Sequence, residues 1–382
     1  MTSRIEWVAQ SCRLLTTISD EFAETQPFAG LTIGTGIHLE PKTAALVMTL
    51  ARGGARIVAT GNLNTTQQET VDYLRDRGID VIGGPTSDPV EHDGHLREVL
   101  AAEPDLLLDN GGDLFARYLE KPWAGLMGGT EETTSGRARL APLRDQLNLP
   151  ILVINDSPIK QFAENRHAVG QSVFESYLRI TNRSTGGKRV VVFGYGSCGQ
   201  GVAANFRNAY GLVTVVDVDP LKRLEANLDG FDVSDRDAAL RRADIVITVT
   251  GARDILLPGD LPLLKDDVVL MNAGHFPQEI DAAGLLGHSD VESVTDATEG
   301  LQTLRTRDGR RIHLTTGGHM ANLAGPRPLG NSIESMDLGF ALQVRCLEAI
   351  ARGTVAADAV VVPVPRTIDE AVANAYLELV AG

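Results

Sequence analysis

Hydrophobic positions along the chain fall into two alternating patterns. Short runs rich in β-branched residues recur, each followed by a segment whose apolar residues repeat every three or four positions, as when strand and helix alternate around a parallel sheet. LTIGTG (31–36) reads as a strand, and Pro41 opens the helix PKTAALVMTLAR, which stops at Gly53-Gly54. ARIVATG (55–61) follows as a strand, TTQQETVDYLRDRG as a helix ended by Gly78, DVIGG as a strand and HLREVLAAE as a helix. DLLLDNGG (105–112) and PILVIND (150–156) add strands, so residues 1 to about 165 form one α/β unit.

A second unit is expected after the glycines of STGGK (184–188). RVVVFGYGSCGQG reads as strand, tight turn and helix start, and LVTVVDVD, ADIVITVTG, DVVLMNAG and VESVTDA read as further strands of a doubly wound sheet. Beyond Pro326 and Pro328 come the helical stretch SIESMDLGFALQVRCLEAIARG, the run VVVPVP and a last helix, DEAVANAYLELV. These are too few for a domain and are expected to return to the first unit. The fold class expected is α/β with two domains: a discontinuous one, 1–168 with 329–382, and an inserted Rossmann-type one, 169–328.

Composition narrows the function. Across 382 residues, 35 Lys+Arg face 50 Asp+Glu, a net charge of −15 that opposes any polyanion, so nucleic acid is excluded as a partner. No apolar run reaches the roughly 20 residues of a membrane span. Cys12, Cys198 and Cys346 are odd in number and lack metal-ligand spacing, and MTSRIEWVAQ has no apolar signal core. A cytoplasmic protein without a metal site is the expectation.

Gly194-Tyr195-Gly196-Ser197-Cys198-Gly199 fits G-x-G-x-x-G directly after the strand RVVVF, and Asp217 closes the next strand. The first glycine permits the turn, the second lets backbone approach a pyrophosphate, the third lets helix pack on strand, and the helix N-terminus faces the anion. Asp217 at the ribose hydroxyls favours NAD over NADP, since a 2′-phosphate would meet a carboxylate. Lys222 weakens that preference slightly.

Several strings then coincide in order: GIHLEPKT (36–43), DNGGD (109–113), EETTSG (131–136), NDSPIKQFAEN (155–165), GYGSCGQG, NAGHFPQEID (272–281) and DEAVANAYL (369–377). Together they resemble S-adenosylhomocysteine hydrolases over nearly the whole chain. The resemblance implies a substrate domain clasping an NAD domain, and chemistry in which a nucleoside 3′-hydroxyl is oxidised, the acidified C4′ proton is removed, the C5′ substituent leaves, and hydride returns. It implies Lys160 at the 3′-hydroxyl with Asn165 five positions later as a further catalytic residue, Glu132 on the ribose, and His38 and His275 near the 5′ substituent. It further implies Thr43, Asn62 and Asp109 on the substrate, and Thr133, Thr134, Thr250, Asn272, Gly274 and Asn322 on the cofactor. A homo-oligomer, dimer or tetramer, is the family's habit.

Departures from the resemblance cluster at the substrate. Asn110 stands where the family has an aspartate proposed as the C4′ base, and Glu164 replaces the aspartate paired with the lysine. Glu40 replaces a threonine, and Lys42 replaces the acid or amide that contacts the purine. The adenine-closing loop has become LGNSIESMDLGF (329–340) without its histidine, and the family's basic C-terminal tail has no counterpart after DEAVANAYLELVAG. The first expectation is therefore an NAD-dependent lyase of an altered nucleoside, with water as the C5′ leaving group: a 5′-dehydratase giving a 4′,5′-unsaturated nucleoside. A true adenosylhomocysteinase, a nucleoside 3′-epimerase or dehydrogenase, and an inactive NAD or nucleoside binder are the alternatives.

Overall fold

The computed structural model describes residues 3–381. The chain divides into two compact units, one running up to Ala163 and resuming at Ile333, the other spanning Glu164–Ser332. Strands are numbered here in chain order.

The first unit is built on a parallel sheet of β1 (Thr32–Ile37), β2 (Arg56–Gly61), β3 (Asp80–Ile82), β4 (Leu106–Asp109), β5 (Gly128–Glu131), β6 (Ile151–Val153) and, from the returning segment, β15 (Val362–Pro363). Their order is β15-β6-β5-β4-β1-β2-β3. Helices cover both faces, which is why β4 and β6 are buried throughout rather than alternating. The chain leaves β1 toward β2 on one side and resumes at β4 on the other, so the order reverses between β1 and β4. Ligands of open α/β sheets bind beyond the carboxyl ends of the strands at such a point.

The second unit holds β7 (Arg189–Phe193), β8 (Leu212–Val216), β9 (Asp232–Val233), β10 (Ile245–Thr248), β11 (Val268–Asn272), β12 (Val291–Thr298), β13 (Leu301–Thr306) and β14 (Arg311–Thr315). The order β12-β13-β14-β11-β10-β7-β8-β9 reverses between β7 and β10. The run VESVTDA is indeed a strand, but it pairs antiparallel with β13 and is exposed along almost its whole length. The unit also begins earlier than the STGGK glycines suggest, because the helix Val169–Thr181 precedes β7 and packs on Ser197–Asn208. Among the described residues no helix is long and apolar enough to cross a membrane.

Two N-terminal helices, Arg4–Ser11 and Arg13–Thr25, have no counterpart in the sequence reading. The second lacks a side-chain cap of its own at Cys12. Asp337, on the returning helix Ile333–Ala351, supplies the cap from far along the chain, accepting the Leu14 and Leu15 amides at 2.8 and 2.9 Å. Burial pushes the Asp337 carboxyl up to about 6, against the pull of those amides.

A folded-state value raised above the ordinary aspartate range means that Asp337's contribution to stability is complete below about pH 4 and is lost as pH rises through about 6. Asp337→Asn should remove that dependence. Urea unfolding should show the wild type losing stability relative to Asp337→Asn across this window, and a constant difference would contradict the assignment.

Candidate active site

The first unit's polar residues gather at the carboxyl ends of its strands. Asn62 follows β2, Asn110 follows β4, Glu132 follows β5, and Lys160 comes shortly after β6. The structure links them in one chain of hydrogen bonds: the Asn62 amide donates to Asn110 Oδ1 at 3.0 Å, the Asn110 amide donates to Glu132 Oε2 at 2.8 Å, and Lys160 Nζ donates to Glu132 Oε1 at 3.0 Å. All four are buried. Burial raises the Glu132 carboxyl, but the Lys160 ammonium, the Asn110 amide and His38 outweigh it and hold it below the ordinary glutamate value. Glu132 is therefore an anion at neutral pH.

Asn110 thereby acquires a physical role. A carboxylate at this position would face the Glu132 carboxylate; the amide instead donates to it and carries no charge. Asn110 cannot take a proton from carbon, and its geometry assigns it to holding Glu132. Asp109, expected on the substrate, is wholly buried and accepts four backbone amides, those of Asn110, Asp113, Leu114 and Phe115, at 2.9 to 3.1 Å. It shapes the turn that presents Asn110.

Lys160 opens a π-helical segment, Lys160–Ala168, which also carries Glu164 and Asn165. Such irregular turns are frequent at functional sites. Ser157 anchors its start, accepting the Ile159 and Lys160 amides at 3.1 and 3.4 Å and donating to Asp369 of the last helix at 2.5 Å. The sequence strings NDSPIKQ and DEAVANAYL are thus physically joined. Glu164 is buried, while Asn165 is partly exposed.

His38 follows β1, and its Nδ1 lies 2.6 Å from the Thr65 hydroxyl. That hydroxyl donates to the Asn62 carbonyl at 3.3 Å, so it accepts from Nδ1–H, which leaves the ring's lone pair at Nε2. Thr65 was not singled out in the sequence. Thr43 steadies the same loop by donating to the His38 carbonyl at 2.6 Å. Glu40 and Lys42 form a buried ion pair at 2.7 Å, and the Glu40 carboxylate makes no side-chain capping bond to the helix it precedes. Burial raises the Glu40 carboxyl, opposed first by the Lys42 ammonium.

In the second unit the three glycines of the β7 turn divide their work as expected. A Cβ on Gly194 would lie 2.7 Å from the Val249 carbonyl, and one on Gly199 would lie 2.0 Å from the Gly194 carbonyl, whereas Gly196 faces open space. That space lies at the N-terminus of the helix Ser197–Asn208, whose first turn contains Ser197 and Cys198. Asn322 donates to Ser172 at 3.1 Å while its buried Oδ1 has no partner among the described residues, an acceptor available to a ligand amide. These features fit a dinucleotide.

Two expected contacts have other occupations. Asp217 accepts the Tyr195 amide at 2.7 Å and the Asp219 amide at 2.9 Å, bracing the glycine turn. Asn272 spends its amide on the loop that carries His275, bonding Gly274, Phe276 and Gly318. Glu279, absent from the sequence reading, is fully buried and accepts the Thr250 amide and hydroxyl and the Gly251 amide at 2.7 to 3.0 Å. His275 stacks edge-on with Phe276. Thr133 caps its helix by accepting the Gly136 amide at 2.9 Å, and Thr134 is exposed.

A parallel-sheet unit with a buried Lys–Glu pair beyond the carboxyl ends of its strands and a second unit with a dinucleotide turn define a nucleotide-dependent enzyme of two α/β domains. The profile of S-adenosyl-L-homocysteine hydrolase matches residues 3–122, and that of its NAD binding domain matches residues 165–327. The chain is 39% identical over 381 residues to the S-inosyl-L-homocysteine hydrolase of Methanopyrus kandleri, covering 98% of this chain and 89% of that one. It is 38% identical over 381 residues to the adenosylhomocysteinase of Thermotoga maritima, covering 98% and 93%. The chain belongs to the S-adenosyl-L-homocysteine hydrolase family, and its cofactor is NAD.

Two substitutions probe the two halves. Lys160→Ala should slow oxidation of bound nucleoside by about 10²–10⁴-fold, read as formation of reduced nicotinamide in a single turnover; an unchanged rate would move the role elsewhere. Asp217→Ala removes a charged acceptor from two amides of the dinucleotide turn, and calorimetry should show NAD binding weakened by about 10–100-fold. Unaltered affinity would contradict that bracing role.

Proposed function

We propose that this enzyme uses NAD in an internal redox cycle to hydrolyse a nucleoside 5′-thioether of homocysteine, and that its preferred base is a 6-oxopurine. The glycine turn at 194–199 and Asn322 would hold the NAD, which would supply reversible hydride transfer at C3′. The Lys160 ammonium polarises the 3′-oxygen, and ionised Glu132 accepts from the ribose hydroxyls, takes the 3′-hydroxyl proton as C3′ becomes a ketone and gives it back when C3′ is reduced. With C3′ a ketone, the C4′ proton is acidic; Asn110 cannot accept it, and Glu164 is the carboxylate assigned to do so. The C5′–S bond then breaks, and the imidazolium form of His38 gives its proton to the departing thiolate. Water adds at C5′ as a proton returns to C4′, and reduction at C3′ yields nucleoside and homocysteine.

The observation that carries the choice of base is the Glu40–Lys42 pair. Adenine offers a donor at N6 and an acceptor at N1; a 6-oxopurine offers an acceptor at O6 and a donor at N1–H. An ammonium can only donate and a carboxylate can only accept, so this pair matches the second edge and opposes the first. A purine contact at position 42, which the resemblance implies, supports the reading, because a lysine there inverts the hydrogen-bonding sense of the family's acid or amide. The S-inosyl-L-homocysteine hydrolases of Methanopyrus kandleri and Methanothermobacter thermautotrophicus, at 39% and 37% identity, support the same reading.

The test supplies S-inosyl-L-homocysteine, S-adenosyl-L-homocysteine and free inosine to the enzyme with NAD, and follows thiol release and product mass. S-inosyl-L-homocysteine should be cleaved with kcat/KM about tenfold or more above the adenosyl compound, since one well-formed pair discriminates by about 1–3 kcal/mol. Glu40→Thr with Lys42→Gln should narrow or reverse the ratio. Preference for the adenosyl thioether would remove the base assignment. Loss of one water from inosine without thiol release from either thioether would replace hydrolysis with the dehydration that the sequence departures suggest.

A further inference from the structure

Glu131 ends β5 immediately before the ribose-binding Glu132 and is fully buried. Among the described residues no cation pairs with it. Instead, its Oε1 accepts the Gly111 amide at 3.1 Å and the Thr133 amide and hydroxyl at 2.7 Å each, and its Oε2 accepts the Gly112 amide at 2.8 Å. Gly111 and Gly112 both have φ in the left-handed region, at 93° and 69°, which turns their successive amides toward the carboxylate. There is no slack behind it, because a Cβ on Gly136 would lie 2.1 Å from its carboxyl group.

The four donors come from two loops. Gly111 directly follows Asn110, and Thr133 directly follows Glu132, so each partner of the 2.8 Å Asn110–Glu132 bond is one residue from an amide fixed by Glu131. The parallel register of β4 and β5 places Asp109 beside Glu131, and Asp109 shapes the same turn from below. Two buried carboxylates held by backbone amides therefore stand behind the Asn110–Glu132 contact.

We infer that Glu131 is a positioning residue which ties the loops after β4 and β5 together and so fixes Glu132 for discrimination of the ribose hydroxyls. This rests on the reading that the first unit binds a nucleoside. Glu131 itself touches no substrate atom in this account; it acts through Glu132. A glutamine at this position keeps one oxygen, and donors aimed at both oxygens then leave at least one amide facing an NH₂ group. One loop is released, and Glu132 loses its fixed bearing on Asn110.

The experiment compares wild type, Glu131→Gln and Glu131→Asp. Calorimetry with inosine, 2′-deoxyinosine and 3′-deoxyinosine gives the factor by which each hydroxyl strengthens binding, and amide exchange is followed at Gly111, Gly112 and Thr133. The larger wild-type hydroxyl factor should fall by about tenfold or more in Glu131→Gln, with faster exchange in both loops. Glu131→Asp keeps both carboxyl oxygens but is a methylene too short for both loops, so it should shift the same way and serves if the glutamine variant does not fold. A hydroxyl factor within twofold of wild type in a folded variant, whatever its melting temperature, would overturn the inference and leave a purely structural residue. Failure of the wild type to bind any nucleoside would instead sink the functional reading, while unchanged exchange in the variants would still refute the tie between the loops.

Discussion

The hydrogen-bonded cluster at the strand ends of the first unit depends on one buried ion pair, Lys160 with Glu132. Taking both charges out of water is costly, and such a pair persists only when further hydrogen bonds complete it. Asn110 provides one of those bonds, and Asn62 in turn satisfies Asn110. Asn62, Asn110 and Glu132 each directly follow a strand, so the sheet register fixes their spacing before any side chain contributes, and Lys160 joins them from the π-helical segment after β6. That is why loops with little regular structure of their own can hold charges in place.

The same economy recurs around the pair. Asp109, Glu131 and Glu279 are buried carboxylates bonded chiefly to backbone amides at the ends of strands, and each shapes a loop rather than facing a ligand in its own right. Burial raises all three above their ordinary values, with Asp109 adding to the effect on Glu131. Strand ends in both units are thus braced from beneath by carboxyl groups that hold backbone amides.

Much of this was legible in the sequence, and the reasons differ by residue. The βα alternation and the Rossmann turn are readable because periodicity and Gly194, Gly196 and Gly199 report local geometry directly. Lys160, Glu132 and Asn62 were legible through ordered strings. Thr65, Glu131 and Glu279 were not, because a buried hydroxyl or carboxylate aimed at backbone leaves no periodic or spacing signal. The N-terminal helix Arg13–Thr25 escaped for a related reason: its cap comes from Asp337, more than three hundred residues away along the chain. Asp109, Asp217 and Asn272 were placed on ligands where the structure gives them backbone to hold, since a polar residue in a functional string looks the same in either occupation.

Asn110, Glu40 and Lys42 enter an otherwise familiar frame that keeps the Lys160–Glu132 pair. The claim that joins these observations is that the enzyme oxidises the 3′-position of a 6-oxopurine nucleoside with its own NAD. Rapid mixing of the NAD-loaded enzyme with inosine or adenosine, followed by the absorbance of reduced nicotinamide, tests it most directly. The account predicts a transient that is larger or faster with inosine than with adenosine; absence of reduced nicotinamide with both nucleosides would contradict it.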